Sequence, residues 1–226
     1  TVWGGEVFTG SLRAGLDRVD HLRPAWLPGG DAAAQVPVQA AAGFLAEHVD
    51  AATLEAAPFG FPPRYRLAAR LVERGVRTTA TTSAGRLFDA AAALCGFARP
   101  TTYEGQAAAW LEAQARRAAP VAPYPCDGLD GHALLMQLLA DRQRGRPVPE
   151  VARAFHAGLA EALVRVAQRW AEAIRAEAIV ASGGVFQNAL LIELLHAHPT
   201  GLPVWLPQAL PPGDGGLALG QAALAC

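Results

Sequence analysis

The chain has 226 residues, is 52% hydrophobic, and sets 19 basic residues against 20 acidic ones for a net charge of −1. This length suits one large domain or one lobe of a larger one, and the balanced charge gives no electrostatic reason to bind nucleic acid or an anionic membrane. Every basic residue is arginine, which excludes a P-loop lysine and Schiff-base chemistry. No apolar run of membrane-spanning length and no signal peptide is found. Cys95, Cys126 and Cys226 are scattered without a CxxC pair, so neither a zinc ribbon nor a disulfide framework is supported, and a cytoplasmic, reducing compartment fits.

The chain opens on Thr1 in what reads as mid-strand, as expected of a piece of a longer protein. Residues 1–8 read as strand, glycine bulge and strand, with another extended piece at 17–22, together an antiparallel edge. Gly4-Gly5-Glu6 is either the border of a phosphate pocket or, more simply, part of a bulged hairpin. Leu27-Pro28-Gly29-Gly30-Asp31 reads as a turn, with Asp31 capping the alanine-rich stretch behind it. A helix is predicted from Val36-Pro37 to about Ala56, with His48 as a structural histidine on its apolar pattern. After the break at 58–63 come a short helix at 65–74 ended by Gly75 and a β-branched strand at 76–82. Ser83 then caps a helix presenting Leu87, Ala91 and Leu94.

Tyr103-Glu104-Gly105-Gln106 opens a helix over 106–118. Glu104 either accepts from ribose hydroxyls or merely complements the helix dipole. Cys126, in the proline-rich loop 120–129, has no His or Asp at a catalytic spacing and reads as unreactive. A helix covers 131–140, and Arg142, Arg144 and Arg146 read as its solvated end. The clearest helix is 151–175. Val151, Phe155, Leu159, Leu163, Val166, Trp170 and Ile174 form its apolar stripe, and Glu161, Arg165 and Arg169 a charged row. It is expected to lie against a sheet, with His156 packed beside the stripe.

Two strand–glycine–helix units close the chain. Residues 178–182 form a strand, Gly183-Gly184 a turn, and 189–195 a helix; 203–206 form a strand, Pro212-Gly213-Asp214-Gly215-Gly216 a turn, and 217–224 a helix. Such a turn aims backbone N–H groups and a positive helix end at a phosphate or nucleoside, and glycine admits close approach. As consecutive parallel units, both turns are expected to open on one carboxyl edge. Asp214 has two readings: an accessible carboxylate ligand, or the N-cap of the last helix.

Ser182-Gly183-Gly184-Val185-Phe186-Gln187-Asn188, Gly85-Arg86-Leu87-Phe88-Asp89, Tyr103-Glu104-Gly105-Gln106-Ala107-Ala108, Leu27-Pro28-Gly29-Gly30-Asp31 and Gly213-Asp214-Gly215-Gly216 together resemble the carbamoyltransferases of [NiFe]-hydrogenase maturation. These are relatives of the tRNA threonylcarbamoyl-adenosine synthases. The resemblance runs from Trp3 to Gln221 and implies an α/β fold: the second lobe of the acetate-kinase/sugar-kinase/Hsp70/actin superfamily, with inserted helices. It implies that residues 1–226 are one C-terminal lobe. The first lobe, an acylphosphatase-like module, zinc fingers and a carbamoyl-adenylate-forming module would precede Thr1.

The resemblance also assigns roles. ATP or carbamoyl-AMP, the latter made from carbamoyl phosphate and ATP, would lie against Gly183, Gly184, Val185 and Asn188, with Glu104 and Gly105 also nucleotide-binding. Asp214 would ligate a divalent metal, Fe or Zn, with two histidines of an HxxxH motif in the first lobe. This chain has no such motif; His196 and His198 read as a surface helix end. The acceptor would be the C-terminal cysteine of a hydrogenase-maturation protein, with no nucleic acid, no membrane and no covalent enzyme nucleophile. Thr81 and Thr82 stand where the synthases carry acids. An O-carbamoyltransferase of natural-product biosynthesis and a non-catalytic nucleotide- or partner-binding lobe are the competing readings.

Overall fold

The computed structural model describes residues 1–30 and 32–225, so the predicted capping role of Asp31 lies outside the described residues. Strands β1 (Glu6–Ser11) and β2 (Gly15–His21) form the expected antiparallel hairpin, with its irregularity between Val7 and Phe8 rather than at the glycines. Gly5 is needed instead for a close approach. A Cβ there would meet the Thr82 carbonyl oxygen and Leu22 Cδ1, both at 2.4 Å. Strand β3 (Ala25–Pro28) pairs antiparallel with β4 (Thr78–Thr81), so residues read as a turn are half of a ladder.

A short turn of helix, α1 (Ala32–Gln35), leads into α2 (Pro37–Leu45), with proline in the first turn as predicted. The single helix expected to about Ala56 is two. The chain turns after Leu45, and Asp50 starts α3 (Ala51–Glu55) by accepting from Ala52 N–H at 3.0 Å. His48 therefore sits exposed in the turn, its ring edge-on to His132 at 5.8 Å. Helix α4 (Arg64–Glu73) ends as predicted. Gly75, at φ 62°, donates to Val72 and Val76 donates to Leu71, the paired bonds of a glycine stop.

Helix α5 (Ala84–Leu94) follows Ser83, which makes no side-chain capping bond; the Thr81 hydroxyl accepts from Ser83 N–H instead. Helices α6 (Gln106–Ala115), α7 (Gly131–Gln143) and α8 (Val148–Ile174) complete the interior. Asp130 caps α7 through His132 and Ala133 N–H. The predicted solvated arginine end is a junction between α7 and α8. Arg146 pairs with Asp141 at 2.7 Å and Glu150 at 3.2 Å, and Arg142 donates to the Arg146 carbonyl.

Helix α8 carries its predicted apolar stripe, but it packs on α6, α7 and the later helix α9 (Ala189–His196) rather than on a sheet. One continuous core joins α2, α5, α6, α7 and α8, with Leu45, Leu87, Phe88, Leu111, Leu135 and Phe155 fully buried. The charged row on α8 is split. Arg165 pairs with Glu161, while Arg169 reaches Asp20 on β2 and ties the hairpin to the helical body.

Strands β5 (Ile179–Val180) and β6 (Val204–Trp205) are parallel, as the repeated strand–glycine–helix pattern requires. They are not central. Among the described residues each of the three sheets has two strands, and Val180 (66%) and Trp205 (59%) are exposed. The last helix, α10 (Leu217–Ala225), is exposed along its whole length. No helix among the described residues is long and apolar enough to cross a membrane.

Candidate functional site

The two glycine turns meet on one edge, as predicted. The chain leaving β5 turns at Gly183, whose φ of 106° suits glycine alone, and its N–H donates to the Pro212 carbonyl of the other turn at 2.6 Å. Ser182 Oγ donates to the same oxygen at 3.3 Å. A Cβ on Gly213 would lie 3.7 Å from Gly184 Cα, so the turns touch. Beyond Gly184 there is open space: a Cβ there meets nothing within 4 Å. Val185 packs its side chain against the core.

Neither turn runs straight into a helix. A 3₁₀ turn, Gly184–Gln187, precedes α9, and another, Asp214–Gly216, precedes α10. The positive end of α9 is consequently not free for an anion. Asn188 Oδ1 accepts from Leu191 N–H at 2.9 Å, and Glu112 Oε1 on α6 accepts from Leu190 N–H at 3.1 Å. The amides left over belong to the turns. Gly184, Val185, Asp214 and Gly215 N–H make no hydrogen bond among the described residues. Successive free amides of this kind cradle anions.

Asn188, predicted to face a nucleoside, is 8% exposed and committed inside the protein. Besides its cap, its Nδ2 lies 3.1 Å from His156 Nε2 on α8. His156 is buried as predicted, but it is bonded as well as packed, its Nδ1 lying 2.7 Å from the Ala152 carbonyl. Sequence reasoning missed this pair and Glu112, because partners 32 and 78 positions apart leave no periodic trace. Glu104 and Gly105 are exposed at the start of α6. Glu112, seven residues beyond Gly105, bonds the start of α9, so the glycine is displaced roughly 10 Å along the axis from that bond.

Asp214 is exposed, and its carboxylate makes no hydrogen bond or ion pair among the described residues. The N-cap reading is therefore corrected: the start of α10 follows from the 3₁₀ turn, whose Asp214 carbonyl accepts from Leu217 N–H. No three His, Cys, Asp or Glu side chains among the described residues could hold a metal. The described residues by themselves do not fit one, and Asp214 offers a single oxygen ligand group. Cys126 is buried, with burial pushing its thiol up and its Sγ 3.5 Å from the Asp130 carbonyl, so it is no nucleophile.

Near these turns, α5 touches the 3₁₀ turn and carries Asp89, buried beside the Arg86 guanidinium at 2.9 Å. Where the resembling synthases carry acids, Thr82 donates its hydroxyl to Glu6, which also pairs with Arg18 at 2.6 Å. Burial raises the Glu6 pKa, but the bonds from Thr82, Arg18 and Gly4 N–H outweigh it and hold the carboxyl below its usual range.

Burial pushes His156 and His132 down to about 4, and pushes Asp89 up to about 7 against the opposing pull of Arg86. Each depressed histidine contributes stability that is present above 6.5 and lost as pH falls toward 4. Raised Asp89 contributes stability that is present below 3.8 and lost as pH climbs to about 7. Through the shared window the two histidines outweigh the one aspartate, so acidification destabilises the fold. Asp89→Asn removes the opposing contribution. The drop in melting temperature between about pH 6.5 and 4.5 is expected to be larger in Asp89→Asn than in the parent. An equal or smaller drop contradicts the assignment.

A family model described as "Carbamoyltransferase, Kae1-like Domain, second subdomain" matches residues 1–221. The chain is 42% identical over 229 residues to Carbamoyltransferase HypF of Rhodobacter capsulatus, an alignment spanning 100% of this chain and 30% of that protein. It is 38% identical to the Carbamoyltransferase HypF homolog of Cupriavidus necator, over 98% of this chain and 60% of that one. Among solved structures, full-length HypF in a phosphate- and nucleotide-bound form superposes with a TM-score of 0.86 at 28% identity, over 99% of this chain and 36% of the other. HypF of T. kodakarensis superposes with a TM-score of 0.88 at 25% identity, over 99% of this chain and 31% of the other.

Proposed function

The chain belongs to the Kae1-like carbamoyltransferase domain family, as its second subdomain, and on that premise we propose that it forms one wall of a nucleotide cleft in a cytoplasmic carbamoyltransferase of hydrogenase maturation. In this reading it is the second lobe of an actin-like, sugar-kinase-like fold. The observation that carries it is the contact between two glycine turns that leave four backbone N–H groups and the exposed Asp214 carboxylate without a partner among the described residues. Carbamoyl-AMP, made from carbamoyl phosphate and ATP, would lie across this edge, with its phosphate toward the turn amides. Gly183, Gly184, Val185 and Asn188 would form the adenosine side, with Glu104 and Gly105 at the far end of α6.

The reaction asks little covalent chemistry of the chain. The C-terminal cysteine thiolate of a hydrogenase-maturation partner attacks the carbamoyl carbon, the C–S bond forms, and the C–O bond to AMP breaks, with AMP leaving with the electron pair. The thiol proton goes to solvent. The chain's residues bind and orient the adenylate, and the turn amides face the charge that collects on the departing phosphate. An iron or zinc ion would supply Lewis-acid polarisation when bound, with Asp214 as its one ligand from this chain.

The test uses full-length protein, carbamoyl phosphate, ATP and a peptide ending in cysteine, with mass spectrometry of the peptide. Thiocarbamate formation is expected from the full-length protein and none from residues 1–226 alone. Transfer to a hydroxyl acceptor in preference to the thiol, or turnover by the 226-residue chain, overturns the reading.

A further inference from the structure

Four groups link the first third of α8 to the start of α9 in one hydrogen-bonded chain. The Ala152 carbonyl can only accept, so His156 Nδ1 carries the ring proton and donates to it at 2.7 Å. His156 Nε2 is then an acceptor, and the group facing it at 3.1 Å is Asn188 Nδ2, a donor. That leaves Asn188 Oδ1 to accept from Leu191 N–H at 2.9 Å. Each bond dictates the polarity of the next, so neither the imidazole tautomer nor the carboxamide can flip without breaking two bonds.

The choice of side chains agrees with this. Capping α9 needs only an oxygen, which Asp or Ser supplies as well as Asn. The bond to His156 needs a donor, and of these three only Asn offers a donor and an acceptor on separate atoms. His156 is fully buried, with its ring edge against Phe88 of α5 at 5.2 Å. It thus touches two of the segments predicted to matter, Gly85–Asp89 and Ser182–Asn188. A hydrocarbon of the same shape would fill the space without desolvating a polar ring.

We propose that His156 is a positioning residue for the glycine turn: it fixes the orientation of the Asn188 carboxamide, and with it the path of the 3₁₀ turn Gly184–Gln187 that presents free amides to the nucleotide. This role rests on the nucleotide reading of that turn. Among the described residues the carboxamide keeps one N–H and one oxygen lone pair uncommitted, and the bonds to His156 and Leu191 N–H together set where each points. A ring that only packed would leave the bond from Leu191 N–H as the one hydrogen bond orienting the carboxamide.

The test is amide hydrogen exchange over residues 183–191 of the full-length protein, titrated with a non-hydrolysable ATP analogue. The readout is local, so nucleotide bound elsewhere does not register. His156→Phe keeps the ring and removes both nitrogens; its half-saturation is expected to rise about fivefold or more, the equivalent of one neutral hydrogen bond. His156→Gln, whose side-chain oxygen accepts from Asn188 Nδ2, is expected to return to within about twofold of the parent. Adding His156→Phe to Asn188→Ala should weaken binding no further than Asn188→Ala alone, because the histidine acts through the asparagine. If His156→Phe melts below the assay temperature, His156→Met fills the space without fixing the carboxamide and carries the same expectation. Parent-like titration of His156→Phe or His156→Met overturns the positioning role while the nucleotide reading stands. Absence of any protection of 183–191 in the parent overturns that reading itself.

Discussion

Asp214→Ala in the full-length protein is expected to lower carbamoyl transfer to the cysteine acceptor at least about a hundredfold, since several kcal/mol of charge stabilisation rest on the group it would help to hold. Synthesis of carbamoyl-AMP should continue, because the resemblance assigns it to a separate module. The melting temperature should not move. A capping aspartate would cost about 1 kcal/mol on removal, but this carboxylate makes no hydrogen bond and is exposed. Three measurements on one variant are therefore linked: transfer lost, adenylate formation kept, melting unchanged, with bound iron or zinc falling in the same preparation. A variant that transfers at the parent rate sinks the ligand assignment whatever its stability. One that loses transfer and also melts several degrees lower points to a structural role that the geometry does not show.

What could be read in the sequence follows the range of the forces involved. The long helix α8 was legible because its apolar stripe repeats over 27 residues, and periodicity over that length outweighs any single substitution. The parallel sense of β5 and β6, and the meeting of their turns, followed from two consecutive strand–glycine–helix units. Strand β3 was hidden because Pro28 and two glycines signal a turn, while its pairing partner β4 lies some 50 residues away. The break in the second helix was marked only by Asp50, a local cap signal set against a run of alanines that favours continuing.

The candidate site divides in the same way. The glycines that give the turns their shape are backbone signals, and they stand in the sequence. The groups that hold the turns in place do not. No local pattern singles out Glu112, and His156 reads as packing, until the fold sets them against Leu190 N–H and Asn188. Asn188 itself is expected, from the resemblance, to face the nucleoside. Its side chain, however, faces inward first, and that orientation depends on a residue 32 positions earlier.

Phe155→Ala is expected to be the most damaging single truncation near the site for stability, costing about 3–5 kcal/mol. The side chain is fully buried (0%) and meets the Phe88 ring edge-on at 5.4 Å and 90°, a favourable aromatic geometry beyond its buried area. Two helices crowd the position, so little can collapse into the space: α8 carries it with the His156 ring beside it at 5.9 Å, and Phe88 of α5 faces it. A domain of this kind has roughly 5–15 kcal/mol in total, so the loss takes a large share. At about 2–4 °C per kcal/mol for this chain length, the melting temperature should fall by roughly 6–20 °C. Phe155→Leu keeps most of the volume and should cost under about 1.5 kcal/mol. Leu67→Ala, at an exposed leucine (64%) on α4, serves as the reference for truncation without burial. Because Phe155 holds α5 against α8 and belongs to neither turn, Phe155→Ala at low temperature should still show nucleotide protection over 183–191, in proportion to the folded fraction. A fall in melting temperature no larger than that of Leu67→Ala would place the core elsewhere than along α5 and α8.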